Sequence, residues 1–456
     1  MMQQLFTSIL LFLGFFATAQ NSINIPADKA IADLDFMVNT IEEVHYNPYF
    51  LISKDSFQRY KDAIYKGFDQ DSISAKAFVV AGKKLTAALS GGHTSFDWES
   101  DVLIEEKIAF RYLPFTGQLN AKNQFVVTRS GVSDIKVGTI VDRINGLSAA
   151  ALFQEMMTYV GGIEGFRKAY VEANLPAFLF YHDILQPPYT VQIAQSKNLI
   201  KLEGLEAKAA SKILYAEQAT ANYTFEILEG NIGLIAYNSC ENAKAFKRFL
   251  KKTFQTITSE NIDQLIVDIR QNGGGNSELN DQLLAYLTPK AYQQMSGRYW
   301  KVSEQAKTSY RSNKVYGKMF GKAFMDEYAA AENGSVIKKL GDETYQNDSP
   351  KNVYQGAHCF LIGPRTFSSA NMLADAVKTY ELSTLIGEPT GELTNDFGEQ
   401  VHLTLPYTKA DLYVSSTYDI GANGNPDLFQ AVMPDIASED ALQTALEWLR
   451  EQKRTN

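Results

Sequence analysis

The sequence predicts an α/β protein whose core lies in the C-terminal half of the chain, behind a helical region and a β-rich module. Three observations lead there. From about residue 223, buried-strand patterns alternate with amphipathic helices. Between Asp28 and about Ser90, apolar residues recur at helical spacing. From 101 to 215, short alternating runs are separated by turn residues. The expected organisation is a signal peptide over 1–19, a helical region over 20–100, a β-rich module over 101–215 and an α/β core over 216–456.

At the N-terminus, Leu5 to Phe16 is an apolar run of signal-peptide length, and Ala17-Thr18-Ala19 is a small-x-small cleavage pattern. Cleavage before Gln20 and export to a periplasmic or extracellular compartment are the expectation. No later run has membrane length, so no span is expected in the mature chain. In the helical region, Ile31, Leu34, Met37, Val38 and Ile41 form one stripe and Phe78, Val79, Leu85 and Leu89 another. Asn47-Pro48 breaks the helices and Gly91-Gly92 stops the last one. Residues 124–128 and 139–144 read as strands. In the core, Ile232 to Tyr237, Gln264 to Arg270, His358 to Ile362 and Thr384 to Gly387 read as buried strands. Helices are expected over Ala243 to Ile257, from near Ser368, and over Ser438 to Lys453 with Ser438 as N-cap. Residues 288–356, polar and rich in Tyr, Lys, Asn and Gly, read as an excursion placed to cover a site.

Composition bounds the function. Among 456 residues, 45% are hydrophobic and 21% charged, enough for a real core. Lys and Arg number 43 against 52 Asp and Glu, a net charge of −9 that argues against non-specific nucleic-acid binding. Two cysteines, Cys240 and Cys359, supply neither a disulfide framework nor a zinc site. Both fall in expected core strands, where buried free thiols are the expectation. The five histidines form no closely spaced ligand set, so neither a metal nor another cofactor is expected.

Three places could carry chemistry. Asp268-Ile-Arg-Gln-Asn-Gly-Gly-Gly275 follows a buried strand, and its glycines let backbone N–H groups approach a carbonyl oxygen. No Gly-Lys-Ser/Thr follows, which removes a phosphate loop. Gly363-Pro-Arg-Thr-Phe-Ser-Ser-Ala-Asn371 joins a buried strand to a helix, and a serine at a helix start sits where developing negative charge is stabilised. The bland alternative is a helix cap. In Leu89-Ser-Gly-Gly-His-Thr-Ser95, His93 sits in a polar loop from which an imidazole reaches another region as general base; the bland alternative is a structural histidine.

Together these pieces resemble the C-terminal-processing (tail-specific) serine peptidases, particularly the branch near the tricorn protease core and interphotoreceptor retinoid-binding protein. The resemblance rests on Asn231-Ile-Gly-Leu-Ile-Ala-Tyr237, Leu265-Ile-Val-Asp-Ile-Arg-Gln-Asn-Gly-Gly-Gly275, Thr366-Phe-Ser-Ser-Ala370 and Leu385-Ile-Gly-Glu-Pro-Thr-Gly391, in the family's order. It implies a crotonase-like spiral core. Ile135-Lys-Val-Gly-Thr-Ile-Val-Asp-Arg-Ile-Asn-Gly146 is similar to a PDZ-like module. By position, the resemblance makes Ser368 the nucleophile, His93 the general base, and Ser369 with the Gly273-Gly274 turn the oxyanion hole, acting on polypeptide.

Two departures matter. Leu393 stands where the Ser–Lys branch has its lysine. The tricorn-like branch has a serine before its histidine, where this chain has Gly92, and a glutamate before its last Pro-Asp, where this chain has Phe429-Gln430-Ala431; Asp427 is the nearest carboxylate. The alternative to an exported serine peptidase is therefore an inactive relative that binds peptide or an apolar ligand in the same cleft.

Overall fold

Apolar residues run nearly unbroken through Ile232–Tyr237, Gln264–Asp268 and Ala357–Ile362, the pattern of strands covered on both faces. In the computed structural model, which describes residues 24–455 apart from 69, 90, 183, 215–220, 342–344 and 346–352, these strands lie side by side. The expected signal peptide falls outside the described residues.

The central sheet runs, edge to edge, Tyr223–Leu228, Ile232–Tyr237, Gln264–Asp268, Ala357–Ile362, Thr384–Gly387 and Ile436–Ala437. Its first pair is antiparallel and the rest are parallel. Strand alternation divides the core in two. Ile235, Tyr237, Leu265, Val267, Phe360 and Ile362 pack under the helices Ala243–Ser259, Glu278–Leu287 and Ser369–Thr379. On the other face, Leu234, Ile266, Cys359, Leu361 and Ile386 meet Ala445 and Leu449 of the helix Ala441–Thr455. That helix starts after Ser438, because Asp440 is the residue that caps it: Gln443 N donates to Asp440 Oδ1 at 3.2 Å. Cys240 and Cys359 are both buried free thiols.

The β-rich module is a twisted antiparallel sheet containing Phe115–Leu119, Phe125–Ser130, Ile140–Ile144, Tyr189–Ile193 and Leu199–Leu202. It is less purely β than its alternating runs suggest. The helices Ala149–Met157 and Glu164–Phe180 cover it, and Val171, Leu175, Phe178 and Leu179 give the second its buried stripe.

The 288–356 segment is not a free cover. Its strand Met295–Lys301 pairs with Thr417–Gly421, and its residues Trp300, Val302, Tyr310, Phe324 and Tyr328 share one core with Leu34, Met37, Ile41, Phe78 and Leu85 of the N-terminal helices. Val401, Leu412 and Val414 close that core. The N-terminal helical region is thereby tied to the C-terminal half instead of standing apart from it.

Candidate active site

In a parallel sheet, loops at the carboxyl ends of adjacent strands emerge together, and ligands bind there. Gln264–Asp268 and Ala357–Ile362 are such neighbours, so the triple-glycine loop and the Gly363–Ser368 loop lie side by side. Phe367 N donates to Asn272 O at 3.0 Å and stitches them together.

Ser368 holds φ 53° and ψ −127°, a conformation that costs about 1–3 kcal/mol for a side-chain-bearing residue. Its side chain makes no capping hydrogen bond to the helix Ser369–Thr379 that follows, which removes the bland reading of this serine. Gly274 makes the approach possible. It has φ +98°, and a Cβ there would fall 2.6 Å from the Ser368 Cβ. Its N–H is committed to Asn272 Oδ1 at 2.9 Å. Among the described residues, the N–H groups of Gly273 and Ser369 have no acceptor, and that of Ser369 opens the helix. The Ser369 side chain serves the scaffold: its hydroxyl donates to Gly275 O at 2.6 Å, and Asn280 Nδ2 donates to Ser369 O at 2.7 Å.

His93 arrives from the other end of the chain. The strand Ser95–Asp97 pairs with Asp411–Ser415, Ser415 N donates to Thr94 Oγ1 at 3.2 Å, and Gln400 Nε2 donates to His93 O at 2.5 Å. Gly92 is needed for a close approach, since a Cβ would meet the Phe367 ring at 2.6 Å. The His93 and Phe367 rings lie 4.8 Å apart.

The carboxylate that meets the imidazole is Glu392. Its Oε1 lies 2.9 Å from His93 Nδ1, a charge contact rather than an aligned hydrogen bond, and its Oε2 accepts from Ser368 N at 2.5 Å. One buried side chain thus touches both the histidine and the serine loop. Its own loop is pinned there: Gly391 N donates to Thr366 O at 3.0 Å, and Asn371 Nδ2 to Leu393 O at 2.8 Å. Asp427, the acidic residue singled out from the sequence, is exposed, and its N–H donates to Asn425 Oδ1 at 3.0 Å. The structure does not bring it to His93. Sequence reasoning passed over Glu392 although it adjoins Leu393. The signal available was an acidic residue in a glycine-bounded loop at a strand's carboxyl end.

Burial opposes charge on His93, but Glu392, then Asp396 and Asp419, outweigh it and raise its pKa to about 9. Asp396 sits beside this pair, with Phe397 N donating to its Oδ1 at 2.7 Å, and that oxygen lies where a Cβ on Gly91 would fall. Burial and the neighbouring Glu392 push the Asp396 carboxyl well above its ordinary range. Two carboxylates cannot both ionise cheaply side by side, which disfavours charge on Asp396. His93 and the Ser368 hydroxyl share no hydrogen bond among the described residues. No group of His, Cys, Asp and Glu able to hold a metal ion occurs among the described residues, and no helix among them is long and apolar enough to cross a membrane.

A strained serine at a helix start, two backbone donors beside it, and a buried carboxylate–histidine pair are the kinds of group that serine-type hydrolases use. Residues 231–436, somewhat less than half of the chain, match the model of peptidase family S41. Among solved structures, a CPAF mutant superposes with a TM-score of 0.66 at 14% identity, covering 94% of this chain and 96% of that one. Mature CPAF complexed with lactacystin gives a TM-score of 0.59 at 15% identity, with 94% and 98% covered. Both show a shared fold across nearly the whole of each chain. The photosystem II D1 C-terminal processing protease is also similar, at 14% identity and a TM-score of 0.44, with 92% and 96% covered. No curated protein matches the chain.

Proposed function

We propose that the protein is an exported serine peptidase that hydrolyses polypeptides with Ser368 as nucleophile, His93 as general base and Glu392 as the group that orients and charges the imidazole. The observation that carries this reading is the Glu392 carboxylate, which spans His93 Nδ1 and Ser368 N. It takes the orienting role that the sequence left to Asp427. As substrate seats, the Ser368 hydroxyl closes on the free imidazole nitrogen, a contact that commonly tightens only in the substrate complex. Neutral His93 accepts the hydroxyl proton while Oγ attacks the peptide carbonyl, and the N–H groups of Ser369 and Gly273 hold the resulting oxyanion. The imidazolium, stabilised by Glu392, then protonates the leaving amine. Water releases the acyl group by the same steps in reverse order.

The test is labelling by a fluorophosphonate probe at pH 7 and pH 9.5, with Ser368→Ala and His93→Ala beside the native chain. Native protein is labelled faster at the higher pH and both variants stay unlabelled. Folded native protein that resists the probe and cleaves no peptide panel overturns the peptidase reading in favour of a binding relative. Export is tested separately, by sequencing the N-terminus of protein recovered outside the cytoplasm, where Gln20 is the expected first residue.

A further inference from the structure

The strand Met295–Lys301 does more than brace the N-terminal helices, because one of its side chains reaches the loop that seats His93. Arg298 lies directly across from Asp419 in the ladder with Thr417–Gly421. Its guanidinium grips that carboxylate with two parallel bonds, from Nε to Oδ1 and from Nη2 to Oδ2, both 2.7 Å. The remaining arm, Nη1, donates to Glu399 Oε1 at 2.6 Å. The side chains of Arg298, Asp419 and Glu399 are 11%, 21% and 13% exposed, so solvent screens the cluster little.

Both carboxylates lead on to the candidate site. Asp419 N donates to Asp396 O at 2.8 Å and Asp396 N to Asp419 O at 3.2 Å. Asp396 Oδ1 in turn stands 2.7 Å from where a Cβ on Gly91 would fall, two residues before His93. Glu399 holds φ 44°, a conformation that persists only where neighbours over-determine it. Ser416 supplies one restraint, its N and Oγ donating to Glu399 O at 3.1 and 2.7 Å, and Arg298 supplies the other. The next residue, Gln400, donates from Nε2 to His93 O at 2.5 Å. A Cβ on Gly398 would fall 2.6 Å from Asp419 Oδ2, so this loop closes down on the gripped carboxylate.

Charge follows the same path. Glu392, Asp396 and Asp419 face His93, and among the described residues Arg298 and His93 are the basic side chains that pair with this acidic group. Tyr310 and Tyr316 also face Glu399, and burial raises both phenols, so they stay neutral. Without Arg298, Asp419 would lie partly buried between Glu399 and Asp396 with no cation. A carboxylate so placed takes up a proton or turns to water. We propose that Arg298 is a positioning residue of the active site, which fixes the loop 396–400 that seats His93 and keeps Asp419 ionised beside the imidazole. The proposal rests on the reading of His93 as general base, but its central measurement needs no turnover.

The experiment follows the His93 titration by NMR on full-length protein carrying isotope-labelled histidine, with His93→Gln to assign the resonance, and measures kcat and KM of the same variants on a peptide. Arg298→Gln should lower the His93 pKa from about 9 by about one unit, and reduce the plateau kcat roughly 10- to 10²-fold with KM little changed. Arg298→Lys should keep the titration near native, since a point charge still holds Asp419 ionised. It should recover only part of kcat, because an ammonium lacks the fork that spans both carboxylates. Asp419→Asn should lower the titration as Arg298→Gln does. Tyr328→Phe removes a 2.7 Å hydrogen bond to Lys301 O on the same strand and touches neither carboxylate. It should lower the Tm and leave the titration and kcat unchanged. A titration that stays in place or rises in Arg298→Gln overturns the proposal, as does an equal shift in Tyr328→Phe. If circular dichroism shows that Arg298→Gln does not fold, the other two variants decide: a native titration in Arg298→Lys with a lowered one in Asp419→Asn supports the proposal, and any other pairing overturns it. Native protein that cleaves no peptide while the Arg298→Gln shift persists sinks only the peptidase reading, whereas cleavage with an unshifted titration sinks only the role of Arg298.

Discussion

Glu392 sets the charge of the histidine it touches. With the His93 pKa at about 9, the imidazole is protonated below that pH, and the base form appears only above it. The acid limb of kcat/KM should therefore lie near pH 9. Because this folded pKa exceeds the unfolded value, the pair's contribution to stability is fully present below about pH 6.5 and is lost as pH rises through about 9. Glu392→Gln should move the His93 titration, followed by NMR, toward the ordinary histidine range. It should also lower the plateau kcat by roughly 10²- to 10⁴-fold, since the ring loses the partner that fixes it. An unshifted titration would show that Glu392 is not the dominant partner. Gly274→Ala is the steric counterpart: positive φ and a 2.6 Å encounter with Ser368 both oppose the methyl group. The expected result is a loss of about 1–3 kcal/mol in denaturant melts and of fluorophosphonate labelling together.

The helix Ser369–Thr379 carries the N–H proposed to hold the oxyanion, and its packing fixes where that N–H points. Asn280 Nδ2 holds Ser369 O, while Tyr237 Oη donates to Asn280 Oδ1 at 3.1 Å. Asn280→Ala should reduce kcat by about 10²-fold with KM little changed, as expected when an oxyanion donor drifts; a rise in KM alone would assign Asn280 to substrate binding instead. Further along, Asp375 is 4% exposed, and burial raises its carboxyl to about 6 although Ala422 N and Thr379 favour the charge. Here the folded state binds the proton more tightly than the unfolded state. Stability from this group is thus present at low pH and declines as pH rises from about 4 to about 6. Asp375→Asn keeps an acceptor for Ala422 N and should raise the Tm at pH 8 but not at pH 4. Elements of this kind were largely legible in the sequence. The strand Ile232–Tyr237 and the helix after Ser368 were marked by unbroken apolar runs and turn residues. The helix Glu164–Phe180 was missed because the short alternating runs flanking it drew attention from its own helical stripe.

At the scale of the molecule, the site depends on two distant segments meeting, and the shared N-terminal core makes them meet. Trp300 is packed against Phe320 and Phe324, with ring centroids 6.0 and 4.7 Å away, in the same core as Leu34 and Phe78. Trp300→Ala should cost about 3–5 kcal/mol. Because this core carries the His93 loop, loss of probe labelling in denaturant should coincide with the circular-dichroism transition. Labelling that outlasts the transition would show that the catalytic sheet works without the helical region.

The sequence by itself determined the α/β alternation of the C-terminal half, and it put forward three of the groups that the structure brings to the candidate site: Ser368, His93 and the glycine turn. Local periodicity, turn chemistry and motif order are written along the chain, so they can be read from it. Only the tertiary structure decided that Glu392 and not Asp427 meets the imidazole, and that residues 288–356 brace the N-terminal helices. Each of these is a contact between residues far apart in sequence, and burial and electrostatic pairing depend on distance in space, which residue spacing does not encode.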